Sequence, residues 1–464
     1  MTTLLATGQV LTPERLTAEI ERVVDIAIAD FVPPTPTTPD VTEAPKVGVL
    51  TQQPQGRLGW WTEDYTSTSD DVTLHDTRTL LAPAAWVRLG FSYDRPAGSA
   101  CTITGAIVAQ TSKASPVTSP VDESGAAVPW TTVTFNNGGA DVSLIDQINS
   151  RLASTPSPVT SFALRNPPSN ANAWSGVGAD YRKENYVDWS DWIQVRPFLR
   201  TDGGALPLLM SRVKYDGDVS FAKAMGAAYD SLYGKFIKSY VNAGDCVTTP
   251  ENFSSTVRSE YAANVTVQYI PATPGFQVLS EGDSNEQRYD NHVAQAVAEL
   301  STAATPIEFA SFAKGGNSVV QYTGSLLLAL SAIRPSVIFV KAYSPAGTSE
   351  DDVERGWAWS LALIERARAA GAVPVVMTGD PSPFIIGSDT VLEERRTRIN
   401  ARVRALAATG VRVLDIDAFV SDNATPVSAF LPGYSNDGLH RNSACHAAIK
   451  TQLTVPLLRE ILGI

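Results

Sequence analysis

In the stretch Phe276-Gln277-Val278-Leu279-Ser280-Glu281-Gly282-Asp283-Ser284-Asn285, an apolar run ends at a Gly-Asp-Ser tripeptide and a helical pattern follows directly. A strand-to-helix turn of this kind lifts a side chain out of the sheet and leaves backbone N–H groups free near the helix start. A serine there suits a nucleophile, provided that a base takes its proton and a carboxylate holds that base in the right tautomer. Asp437-Gly438-Leu439-His440 carries both groups three residues apart, so one turn can deliver them to Ser284.

Around this pair the chain alternates strand and helix from about Gly275 onward, the signature of a doubly wound parallel sheet. The strands read as Phe276 to Leu279, Ile307 to Ala310, Val337 to Val340, Val373 to Met377 and Val411 to Ile416. Helices are expected near Glu286 to Leu300, Gln321 to Ile333, Glu350 to Ala370, Leu392 to Ala408 and Ser443 to Leu462. Ser284 and Gly316 then fall just beyond the carboxyl ends of the first two strands, where such sheets place their ligands.

Two blocks, Glu281-Gly282-Asp283-Ser284-Asn285 and Ser435-Asn436-Asp437-Gly438-Leu439-His440-Arg441-Asn442, resemble the first and last motif blocks of the SGNH hydrolases, also called the GDSL esterase/lipase family. The resemblance covers residues 275–464 and implies a flavodoxin-like three-layer α/β/α domain. It implies acyl transfer to water, with Ser284 as nucleophile, His440 as base and Asp437 steadying the imidazole. A second block, Phe312-Ala313-Lys314-Gly315-Gly316-Asn317-Ser318, stands where the family supplies an oxyanion glycine. The resemblance assigns Gly316 to that role, with Gly315 as fallback, alongside the Ser284 N–H.

The third block departs from the family pattern. An asparagine is expected after the third strand, its amide completing the oxyanion hole, but the chain reads Lys341-Ala342-Tyr343-Ser344-Pro345-Ala346-Gly347-Thr348. Asn317, Ser344, Thr348 and the backbone N–H groups of Ala346 and Gly347 are the candidate replacements. Losing one such donor costs on the order of 10²-fold or more in rate, so the departure also supports a rival reading, a non-catalytic glycan-binding or adhesion protein on an SGNH scaffold. Asp283, Asn285, Tyr343 and Ser344 are expected to line the substrate site.

Other polar residues near the strand ends read as structural. Asp380 before Pro381 is expected to cap a turn, with lining of the cleft as its alternative. Asp415 and Asp417 lack the spacing of Asp437, His446 and His292 read as packing residues, and Arg395 and Arg396 as a solvated helical face.

The rest of the 464 residues has the composition of globular protein, 44% hydrophobic and 18% charged, enough for two to three domains. A formal charge of −12 and the lack of a Lys/Arg-rich run argue against a nucleic-acid partner. Cys101, Cys246 and Cys445 are odd in number and far apart, and are expected to be buried thiols. Four histidines, at 75, 292, 440 and 446, form no HExxH, so no metal and no cofactor is expected. No stretch approaches the ~18 apolar residues of a membrane span, and the N-terminus lacks the basic start and apolar core of a secretory signal.

Residues 1–47 read as an amphipathic helix, Pro13 to Phe31, on a stiff linker, Pro33 to Asp40, with the helix packing back on its own chain or serving as a homo-oligomerisation element. Residues 48–255 carry short Val/Thr/Phe-rich runs between turn residues and read as a jelly-roll-like β-sandwich, with Phe221 to Val241 as a bridging helix. Seven of nine tryptophans (60, 61, 86, 130, 174, 189, 192) lie before residue 193. They fill a core or stack on sugar rings, with Trp60, Trp61, Trp189 and Trp192 the candidates for sugar. The expected substrate is an acetylated polysaccharide or another ester. The layout resembles that of phage tail or prophage-associated proteins, which would put the chain on a virion or release it by lysis; a cytoplasmic esterase is the alternative.

Overall fold

The computed structural model describes residues 50–52, 65–67, 72–92, 101–113, 119–135, 138–139, 142–143, 187–196, 207–217, 219–223, 237–252, 261–262, 265–271, 273–288, 290–313, 315–320 and most of 322–464. The expected N-terminal helix and its linker lie outside these residues, as do Trp60, Trp61 and Trp174.

In the middle of the chain two antiparallel sheets enclose one core. The first runs Leu50–Gln52, Val265–Pro271, Ala84–Ser92 and Val187–Trp189, with Ile193–Gln194 also paired to Ala84–Ser92. The second runs Ile237–Ala243, Val72–Thr79, Leu208–Gly217, Cys101–Thr111 and Thr131–Thr132, with Val142–Ser143 also on Cys101–Thr111. Alternate residues point to one face of a strand, so Val87, Leu89 and Phe91 meet Val265, Val267 and Tyr269 in the same core as Ala106, Val108, Leu209 and Val213. Where residues 221–241 read as a helix, the structure has strands at Val219–Lys223 and Ile237–Ala243. Each pairs with neighbours, and that pairing overrides the local Ala/Lys content. The boundary at 255 also moves, because Val265–Pro271 lies between two strands of the first sheet. Trp192 is half-buried and one face of its ring is covered by the Arg88 guanidinium at 4.8 Å.

The C-terminal sheet is parallel: β1 Phe276–Ser280, β2 Ile307–Ser311, β3 Val337–Lys341, β4 Val373–Met377 and β5 Arg412–Leu414. Its order is β2-β1-β3-β4-β5, the flavodoxin-like arrangement in which strand order reverses beside β1. Helices α1 Ser284–Gln287, α2 His292–Leu300, α3 Glu350–Ala369, α4 Pro383–Ile386, α5 Thr390–Leu406, α6 Ile416–Val420, α7 Ser443–Ile449 and α8 Val455–Leu462 surround it. Leu279, Ile338, Val340 and Val376 pack on α3 and α5 through Leu363, Ile364, Ile399 and Val403. Val278, Val337, Phe339 and Val375 face α2, α7 and α8 through Val293, Val297, Cys445, Ile449 and Leu458. Both faces of the sheet are thereby covered, which explains its near-continuous apolar strands.

The helix expected from Glu286 to Leu300 is broken. Asn291 accepts from the Ala294 N–H as the N-cap of α2, and its amide donates to the Glu286 and Arg288 carbonyls. The segment from Ser443 to Leu462 is helical throughout but passes through a π turn at Lys450–Thr454.

Candidate active site

Ser284 opens α1 immediately beyond β1, at the point where strand order reverses. Gly282 makes the turn possible: its φ is +153°, and a Cβ there would sit 2.3 Å from Glu286 Cγ. Asp283 caps the turn, its Oδ1 accepting from the Asn285 N–H at 3.0 Å. On the other side of the site, Asp437 Oδ1 accepts the backbone N–H groups of Leu439 and His440 at 2.8 and 2.7 Å. Gly438, at φ +70°, lets this loop close.

These two loops bring Ser284, His440 and Asp437 into line. Ser284 Oγ lies 3.0 Å from His440 Nε2, and His440 Nδ1 lies 2.7 Å from Asp437 Oδ2. Partial desolvation pushes the Asp437 carboxyl upward, but hydrogen bonds from the His440 backbone and ring and from Leu439 outweigh it and hold the group below the usual carboxylate range. Asp437 is therefore anionic wherever His440 needs an acceptor. Asn285 fixes the distance between the loops: its Oδ1 accepts the Arg441 N–H at 2.7 Å and its Nδ2 donates to the Leu439 carbonyl at 3.3 Å.

Beneath the line lies a buried ionic network. Lys341 Nζ, at the end of β3, donates to Asp283 Oδ1 at 3.0 Å and to Asp380 Oδ2 at 2.7 Å. Arg441 donates to Glu286 Oε1 and, at 3.2 Å, to Asp380 Oδ2. Burial alone would neutralise these groups. Their mutual charges reverse that, since Arg441, His292 and Lys341 hold Glu286 well below its usual range. Arg441 and Lys341 likewise lower Asp380, while Asp283, Asp380 and Glu286 raise Lys341.

The structure corrects several expected roles. Asp283, Asn285, Tyr343 and Ser344, expected to line the substrate site, are all buried. Asp283 and Asn285 hold the loops as described. The Tyr343 ring packs so closely on Gly379 that a Cβ there would lie 2.6 Å from its Cδ1. Ser344 Oγ donates to the Asn317 carbonyl at 2.9 Å. Asp380 is buried and anchors the network rather than capping a turn. Arg396 is not solvated: it is buried against Glu393 and Asp417. His292 Nδ1 lies 2.8 Å from Thr454 Oγ1, away from Ser284, and His446 stacks on its ring at 6.2 Å. Asp415 and Asp417 pair with Arg404.

On the side where an oxyanion would form, Gly315 packs against the nucleophile: a Cβ there would be 3.2 Å from Ser284 Cβ and 2.7 Å from Gln287 Oε1. Its N–H donates to Gln287 Oε1 at 2.6 Å. Gly316 is exposed at φ +75° with open space around it. Among the third-block candidates, the Ala346 N–H donates to Ser344 Oγ and the Gly347 N–H to the Ser344 carbonyl. Thr348 lies outside the described residues. Gln287, Lys341 and Arg441 were not expected at the site. The sequence signal for two of them was a lysine ending the apolar run of the third strand and an arginine directly after His440.

No family model and no curated protein matches the chain. Solved structures similar to it include a GDSL-like lipase from Bacteroides thetaiotaomicron, at 14% identity over 40% of this chain and 88% of that one, with a TM-score of 0.31. An acetylxylan esterase from Geobacillus stearothermophilus, in a catalytic mutant, matches at 14% identity over 40% and 94% of the two chains, TM-score 0.31. The psychrotrophic esterase EstA from a Pseudoalteromonas species matches at 14% identity over 40% and 99%, TM-score 0.29. At these scores the chemistry rests on the residues of this chain, whose motif blocks resemble those of the SGNH hydrolases.

Proposed function

We propose that this chain is a serine esterase of the SGNH type that removes O-acetyl groups from a polysaccharide. The observation that carries the reading is the unbroken line from Ser284 Oγ through His440, at 3.0 Å, to Asp437, at 2.7 Å. In this mechanism Ser284 Oγ attacks the ester carbonyl as His440 Nε2 takes its proton. Asp437, accepting from Nδ1, selects the tautomer that leaves Nε2 basic and steadies the imidazolium. In this reading the N–H groups of Ser284 and Gly316 donate to the developing oxyanion. His440 then returns the proton to the leaving sugar hydroxyl, and water, deprotonated by the same imidazole, hydrolyses the acyl-enzyme.

The polysaccharide reading is supported by the two-sheet unit joined to the C-terminal domain, read as a β-sandwich that meets glycan, and by the sequence pattern of residues 1–47, read as an attachment element on a virion. A second reading, a non-catalytic glycan-binding protein, is favoured by the absent third-block asparagine. Hydrolysis of p-nitrophenyl acetate and of acetylated polysaccharides by wild type and Ser284→Ala separates the two. Acetate release lost in the variant supports the esterase; equal background rates for both proteins support the binding protein.

A further inference from the structure

We infer that Gln287 supplies the carboxamide that the third block lacks and is a catalytic residue of the oxyanion hole. The inference rests on the esterase reading above and deepens it. Ser284 and Gln287 stand three residues apart on α1 and so share a face. Both meet Gly315, whose Cβ position is 3.2 Å from Ser284 Cβ and 2.7 Å from Gln287 Oε1. The Gly315 N–H donates to that oxygen at 2.6 Å. A backbone N–H can only donate, so the carboxamide oxygen must face Gly315, leaving Nε2 with two donors. No partner for Nε2 occurs among the described residues.

A carboxamide pinned through its oxygen beside the nucleophile, with its N–H groups free, is what a developing oxyanion needs: a donor oriented before the reaction begins. The alternatives lack one half of this. The Asn317 side chain has no hydrogen bond holding it among the described residues. Ser344 Oγ is buried and donates to the Asn317 carbonyl, and the Ala346 and Gly347 N–H groups turn back onto Ser344. Because Gly315 spends its N–H on Gln287, the Gly316 N–H remains as the backbone donor of this block.

The test is steady-state hydrolysis of p-nitrophenyl acetate by the full-length protein and its Ser284→Ala, Gln287→Ala, Gln287→Glu and Asn317→Ala variants. Gln287→Ala and Gln287→Glu are expected to lower kcat about 10²–10³-fold, with KM changed only a few-fold. Asn317→Ala is expected to stay within a few-fold of wild type. The Glu variant keeps the oxygen that Gly315 bonds but loses the donor, and its added charge also opposes an oxyanion, so an unchanged kcat there is incompatible with a role for the Nε2 donor. Wild-type kcat in Gln287→Glu, or a large loss in Asn317→Ala with none in Gln287→Ala, overturns the inference while leaving the esterase standing. Absence of any Ser284-dependent turnover in the wild type overturns both.

Discussion

Glu281, three residues before the nucleophile, is fully buried and uses one oxygen to accept from Thr323 Oγ1 at 3.0 Å. Burial drives its carboxyl well above the usual range, against the hydrogen bonds from Thr323 and the Lys341 backbone, so the folded protein carries it neutral. The unfolded chain ionises this group near pH ~4.5. Between that value and the raised folded value the native state binds the extra proton, and stability falls as pH rises. Glu281→Gln should therefore gain stability over wild type above pH ~4.5, with a difference that widens toward neutral pH; urea titrations at pH 4, 5.5 and 7 read it directly, and a constant difference would contradict it. At Gly315 the constraint is steric. Gly315→Ala pushes a methyl against Ser284 and the Gln287 carboxamide, and is expected to cut kcat at least tenfold with a smaller change in thermal midpoint. Ser284, Asp437 and His440 were legible because their chemistry demands particular residue types in short local blocks. Gln287 was not, because its role exists only through Gly315, 28 positions away.

The elements of the site are tied by charge rather than by chain. Lys341 ends β3, Asp380 follows β4, Glu286 is in α1 and Arg441 precedes α7, and they meet in one buried network. Removing one member of such a network leaves the others buried without compensation. Lys341→Met is expected to cost ~3–5 kcal/mol in denaturant titrations, and adding Asp380→Asn should recover part of that loss; additive losses in the double variant would show the two side chains to be independent. In the C-terminal domain the alternation of apolar strands and amphipathic helices put every strand within two residues of its place. The break at residues 288–291 escaped because Asn291 acts through its amide on carbonyls of the preceding turn. The strands at Val219–Lys223 and Ile237–Ala243 escaped for a different reason: their partners are remote, Val72–Thr79 among them, and composition does not report a remote partner.

At the scale of the whole molecule the two-sheet unit and the hydrolase domain share a boundary that holds polar contacts. Tyr269, in the interior strand Val265–Pro271 of the first sheet, donates to Glu308 Oε1 in β2 at 2.8 Å and accepts from the Leu81 N–H at 3.3 Å. Tyr269→Phe removes a hydroxyl from between those groups and is expected to cost about 1.5–3 kcal/mol, read as a lowered thermal midpoint; an unchanged midpoint would show the contact to be energetically silent. The sequence marked a change of periodicity near Gly275 but not that Val265–Pro271, just before it, belongs to the earlier sheet. That strand pairs on both sides, with Leu50–Gln52 and with Ala84–Ser92, and β1 begins five residues after it ends.

This seam bears on heredity as much as on mechanics. A catalytic unit hung on a loose tether can be copied out of one gene and pasted into another with little injury to either. Here a cut within residues 265–271 either strips an interior strand from the first sheet or leaves that strand as a ragged extension on the C-terminal domain, so a clean junction is confined to residues 272–275. An exchange that parts the two units without injury must therefore fall within those four residues, a far smaller target than a long tether offers.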